Sequence, residues 1–402
     1  MVALEAIVSG ALYLVSALLL AVLASASFIA PQDEDSPQAN FLSAAAVLLA
    51  GFLIVAFLSL EVQGAQLSGG AFPSLDLLAR YLTRTQSGGL WLWREAYAAL
   101  LLVLVLSFRK SGAQGRVIRW LFFLALPLIA SRALSSHAAA VRENNLAAVA
   151  VDAIHLIVSA LWAGGLPVLC WVLWRGSRDL RAPLGWAADA VARFSRLALV
   201  SIAVIGLTGL YQSWVELQSW SALIETDYGC VLLLKLALVA SMLALGALNR
   251  FSTKPALLKA ARAASLPPKT LGRIGAEAAL AVGVFCVTGF LTVLPPSAHS
   301  RHLLAAAGQP APAGGAAIKI LSPREGEFVH GDQVPIAYRM VRGQSGQHAH
   351  AYVDGELMGM FETQNGTLTG IAPGEHTLEL RVVAADHQTE LDASDKIHFV
   401  VK

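Results

Sequence analysis

The residues in this chain best suited to chemistry are its histidines, and the stretch that stands out runs from Ser135 to Trp174. His137 and His155 in it are the two histidines within the hydrophobic bulk of the protein. Two imidazoles at one membrane face are a candidate metal site, and an ionisable group inside a membrane is costly enough that it normally has a partner. No charged residue falls between Ala153 and Trp174, and a helix of that length spans about 33 Å, enough to cross a hydrocarbon core. His155 is therefore expected to start a transmembrane helix near one membrane face. If Trp120–Leu134 is the preceding span, His137 lies just past its end on the same side. Asp152 sits three residues before His155 on the same helix face, placed to orient the ring, and His299, beyond the last apolar run, could supply a third nitrogen. The plainer alternative is an interfacial His155 bonded to a neighbouring helix and an ordinary loop residue at His137.

A second set lies near the C-terminal end, where His330, His348, His350, His376, His387 and His398 fall in a short β-rich region. His348 and His350 are two apart, so on a strand they share a face. Met358 and Met360 stand likewise beyond the Asp354-Gly355 turn. Imidazole with thioether is a ligand set for copper, favouring Cu(I). Against it stands a solvated sheet face whose methionines cover the core.

Positioning these residues requires two kinds of element. The chain has 402 residues, 56% hydrophobic and only 14% charged, with mean hydropathy +0.61, which is too apolar for a soluble protein of this size. About eight spans are expected: Ala6–Ala30, Phe41–Leu60, Leu90–Phe108, Trp120–Leu134, Ala153–Trp174, Leu197–Val215, Gly229–Asn249 and Ala278–Leu294. The first is preceded by Glu5 and no Lys or Arg, so it reads as a retained span rather than a cleaved signal. Alternate loops carry fifteen basic residues against four, counting Arg132 at the end of the fourth span with the loop after it, and the basic set is expected to stay cytoplasmic. His137, His155 and everything after Leu294 are then outside. Three scattered cysteines give no disulfide framework, and no basic patch suggests nucleic acid.

An internal repeat supports the count. Thr85-x-x-Gly88 with Arg94 matches Thr226-x-x-Gly229 with Lys235 at the same offset, 141 positions apart. Units of four spans make parallel repeats, about 1–134 and 135–296. Arg94 and Lys235 are intramembrane cations that either face the bundle interior or snorkel to the surface. Pro295-Pro296 ends the last helix, 297–317 reads as a low-complexity linker, and 318–402 as six or seven short strands of an immunoglobulin-like sandwich.

Several motifs together carry a resemblance: SHAAA, DAIHLIVSALWAGGLPVL, RFSRLALVSIAVIGLTGLY, TDYGCVLLLKLALVASMLALGALNRF and TGFLTVLPP. The chain resembles the copper resistance protein D family of bacterial inner-membrane proteins, well over Ser135–Pro296 and more loosely before it. The resemblance implies eight spans, a role in copper tolerance, and movement of copper from periplasm to cytoplasm, often beside a small periplasmic copper carrier. The family's conserved histidines correspond to His137 and His155. The fused β domain, expected in the periplasm, is not part of the family's signature. Met242 is the internal methionine of the spans, which leaves the copper path unassigned. The other function considered is a haem-binding membrane redox protein of cytochrome b type, since such proteins hold haem between histidines of facing helices. No P-loop, G-x-S-x-G or H-E-x-x-H occurs, so an ATP-driven pump or a hydrolase is not expected.

Overall fold

The computed structural model describes residues 2–30, 38–68, 72–110, 115–136, 146–176, 185–217, 221–253, 268–294, 311–329, 333–371, 373–384 and 390–402. Two compact units result, Met1–Pro296 and Ser297–Lys402.

The first unit is helical. Among the described residues eight helices are long and apolar enough to cross a membrane: Val2–Ile29, Ala39–Leu67, Gln86–Lys110, Arg116–Ser135, Leu146–Arg175, Asp189–Trp214, Asp227–Phe251 and Leu271–Leu291. They are apolar almost all round, as lipid-facing helices must be. The first span is the most enclosed, and it packs against the second, fourth, fifth and eighth. Its contact with the eighth is backbone to backbone, because a Cβ at Gly289 would lie 2.1 Å from the Ala6 carbonyl oxygen. Small residues allow such approach where no hydrophobic force drives helices together.

The fifth span differs from the expectation. Its helix begins at Leu146, so His155 lies nine residues in, about 13 Å along the axis, and does not start it. The helix breaks after Trp162 and resumes at Gly165. There the Ser159 carbonyl accepts from both Ala163 N–H and Gly164 N–H.

Two short helices missing from the sequence reading, Leu75–Arg84 and Ala222–Glu225, precede the third and seventh spans. They expose the repeat in detail. Thr85 Oγ1 donates to Tyr81 O at 2.7 Å and accepts from Gly88 N–H at 3.0 Å. Thr226 Oγ1 donates to Ala222 O at 2.7 Å and accepts from Gly229 N–H at 3.0 Å. A Cβ at either glycine would lie 2.1 Å from the carbonyl oxygen that its threonine bonds. Each threonine thus caps a span while tying it to the helix before it. Packing between the halves follows suit: the first span meets the eighth, and the fifth meets the fourth.

The described residues of the second unit form a two-sheet sandwich of eight strands: β1 (Ala317–Ser322), β2 (Glu327–Val329), β3 (Gln333–Val341), β4 (Gly346–Val353), β5 (Glu356–Phe361), β6 (Asn365–Thr369), β7 (Gly374–Ala384) and β8 (Glu390–Val401). One sheet has the order β1-β3-β6 and the other β2-β8-β7-β4-β5. Read as A, A′, B, C, C′, E, F and G, these orders give A-B-E and A′-G-F-C-C′, an immunoglobulin-like arrangement. Its own core holds Ile320, Val334, Ile336, Tyr338, Leu380, Val382 and Phe399. The unit reaches into the stretch read as linker, because Ala311 bridges to Leu391 and Ala316 is buried. The β4–β5 turn puts Asp354 at φ 53° and Gly355 at φ 88°, the left-handed pair of a tight hairpin.

Candidate metal centre

His155 is fixed by the sixth span. Its Nδ1 lies 2.8 Å from Thr208 Oγ1, and its ring rests on Gly209, where a Cβ would sit 3.5 Å from Cε1. Thr208 has one hydroxyl proton, and it goes to Val204 O at 2.8 Å, in the back-bond usual for a helical threonine. Nδ1 must then carry the ring proton and donate it to Thr208, a tautomer assigned from the network. Nε2 is left with a lone pair. A hydrogen bond on one ring nitrogen that aims the other is how proteins prepare a histidine to hold a metal. Thr208, and not Asp152, is the partner of Nδ1, which corrects the orienting role expected of Asp152. Asp152 Oδ1 instead accepts from Gln212 Nε2 at 2.8 Å. The two bonds, one turn apart, stitch the fifth span to the sixth.

His155 lines a cavity of about 1580 Å³ to which all eight spans contribute. Glu5, Gln63, Tyr81, Ser135, Asp152, Gln212, Tyr228 and Thr292 on its wall all come from one end of the bundle. The end is the one whose loops are poor in Lys and Arg. Met242, buried at 1% exposure, lines the same cavity deeper along the seventh span. Arg94 and Lys235 both line it too, so neither is simply a surface cation. Arg94 donates to Ser131 Oγ at 3.1 Å, Ser131 O at 2.6 Å and Ser135 Oγ at 2.7 Å. His137 and His299 lie outside the described residues, as do His330 and His387. Among the described residues no group of three His, Cys, Asp or Glu side chains is placed to hold a metal.

In the β unit, His348 and His350 are each 1% exposed, so they are not a solvated face. Their Nε2 atoms are 3.1 Å apart. The register pairs His350 with Met360 on β5 and with Arg381 on β7, so one histidine of its pair stands opposite one methionine of the other. Directly paired residues share a sheet face. Met358 and Met360, at 37% and 46% exposure, do not cover the core as the plainer reading had them. His376 and His398 are engaged elsewhere, with Asp354 Oδ2 at 2.7 Å and Glu325 Oε1 at 3.0 Å.

Two family models match this chain: "Copper resistance protein D-like, N-terminal domain" over residues 2–143, and "Copper resistance protein D" over residues 188–291. Together they take in more than half of it. The chain belongs to the copper resistance protein D family. Among similar proteins are the copper transport protein CutJ of Bacillus subtilis, 29% identical over 51% of this chain and 38% of that protein, and the copper resistance protein D of Pseudomonas syringae pv. tomato, 27% identical over 52% and 68%. The inner membrane protein YebZ of Escherichia coli is 27% identical over 50% and 68%. The match thus spans little more than a third of the length of the Bacillus relative. A solved structure of fibronectin(III)-like modules of Clostridium thermocellum CbhA aligns with 21% of this chain and 94% of its own, at 22% identity and TM-score 0.19.

The two copper resistance protein D matches include Arg94, Thr208, Lys235 and Met242, whereas His155, Asp152 and the β unit lie outside both. Thr208 and Gln212 were missed in the sequence. The signal was there, in polar residues breaking the apolar run GLTGLYQ of the sixth span.

Proposed function

We propose that the membrane unit carries copper across a bacterial inner membrane, from the periplasm toward the cytoplasm, with His155 Nε2 as a ligand in the outer cavity and Met242 Sδ as a softer station deeper in. The observation that carries this reading is the His155–Thr208 bond, which leaves a lone pair on the cavity wall of a chain from a copper resistance family. A cavity set at the end predicted to face outside supports entry from that side. Arg94, Arg132 and Lys235 against Glu5 and Asp152 leave its wall with more cations than anions. Coulomb repulsion scales with ionic charge, so monovalent copper is the favoured cargo, and a thioether prefers that state. In solution a small periplasmic copper carrier would supply it, and the result for the cell would be a change in copper tolerance.

Copper accumulation in cells expressing the full chain tests this. His155→Ala should lower uptake to the level of cells lacking the protein, while the amount in the membrane stays the same. Met242→Leu should reduce uptake with less effect on copper held by the purified protein. Wild-type uptake by His155→Ala would remove this histidine from the path. A Soret band in purified wild-type protein would replace the copper reading of the cavity with a haem one.

A further inference from the structure

We propose that the β unit carries its own Cu(I) site, formed by His348 Nε2, His350 Nε2 and the thioether of Met360 on one face of the five-stranded sheet. Two nitrogens 3.1 Å apart can share one metal ion at about 2.0 Å from each, with an angle of about 100° at the metal. Without metal the same atoms share a hydrogen bond, so the site needs little movement to load. The donating ring must then present its Nε2 lone pair, which requires the other tautomer, its proton moving to Nδ1 so that the ring stays neutral. Both rings are held in the sheet at 1% exposure, while Met360 opposite His350 is 46% exposed. The methionine is therefore the door as well as the third ligand.

Neighbouring groups leave a soft set. Arg381, paired with His350 across β7, donates to Glu379 Oε1 at 2.6 Å and to Glu390 Oε2 at 2.8 Å. Its guanidinium stacks on Tyr352, 4.7 Å from the ring centre, and the Tyr352 hydroxyl donates to Glu390. Both carboxylates are thus committed to the arginine, whose charge they offset. Among the described residues the donors are then imidazole and thioether, a set for Cu(I) rather than for a hard cation.

The site deepens the copper reading of the chain and rests on it, but its test does not depend on transport. Purified full-length protein in detergent is titrated anaerobically with Cu(I) against a chromophoric chelator, in wild-type and His155→Ala forms. The His155→Ala chain should still hold one copper, with both nitrogen and sulfur neighbours in its X-ray absorption spectrum. Met360→Leu, at a half-exposed position that leaves the fold intact, should weaken that copper at least tenfold and remove the sulfur signal. His348→Gln combined with His350→Gln should remove it altogether. A His155→Ala chain whose copper shows no sulfur neighbour, or whose stoichiometry survives the double histidine change, would overturn the site and leave a hydrogen-bonded pair only. Failure of uptake with this copper still bound would count against the membrane path alone.

Discussion

Thr208 decides which nitrogen of His155 faces the cavity, so its substitutions separate hydroxyl from volume. Thr208→Val keeps the shape and removes the acceptor for Nδ1–H. Losing such a partner typically costs about 10–100-fold in metal affinity, and copper bound at the membrane site should weaken by that amount, measured by chelator competition. Thr208→Ser should restore it. Asp354 allows a second test. Burial alone would raise its carboxyl, but the bond to His376 and the Thr377 N–H outweigh it and hold it below the ordinary value of 3.8. A carboxyl depressed in the folded state contributes stability that is present above its unfolded value and lost as pH falls through the folded one. The β unit should therefore lose stability as pH drops below about 4, and Asp354→Asn should flatten that loss in thermal melts. At this scale the sequence was only partly legible. The types His155, His348, His350 and Met360 were plain, but their partners depend on neighbouring helices and on strand register, which no local spacing encodes.

Between short helix and long span, the Thr-Gly corners leave no room for a side chain. Gly88→Ala and Gly229→Ala would each drive a methyl to 2.1 Å from a carbonyl oxygen, an overpacking of about 1–3 kcal/mol or more. Both variants should lower the amount of folded protein in the membrane and its melting temperature. Gly89→Ala, one residue on, meets nothing within 4 Å, and it should be neutral or stabilising by up to about 1 kcal/mol through helix propensity. Equal losses at Gly88 and Gly89 would remove the steric account. The long spans were readable because their apolar runs exceed what a soluble helix needs. The early start of the fifth span, its break at Gly164 and the four-residue helix before Asp227 were not. Their signals are a few small or polar residues, and tertiary contacts decide what those do.

Taken whole, the molecule joins an eight-span bundle to a separate sandwich, and both were visible in composition and in the change from continuous to alternating hydrophobicity. Orientation is predicted from loop charge: fifteen basic residues against four favour a cytoplasmic place for the basic loops. A reporter active only in the periplasm, fused after Lys402, should work, and one active only in the cytoplasm should stay silent. The reverse outcome would turn the cavity, His155 and the β unit to the other side.

The matched Thr-Gly corners carry a historical consequence. A unit of four spans returns its chain to the side where it began, so a tandem copy of its gene inserts in the same orientation as the original. No inverted ancestor with two orientations is needed, unlike repeats of odd span number. At the offset of 141 that aligns the corners, His155 falls on Leu14, and the cation held by Ser131 and Ser135 in one half corresponds to Lys235 beside His155's cavity in the other. Both corresponding cations line the cavity, so the imidazole, absent from residues 1–134, is what sets the second half apart.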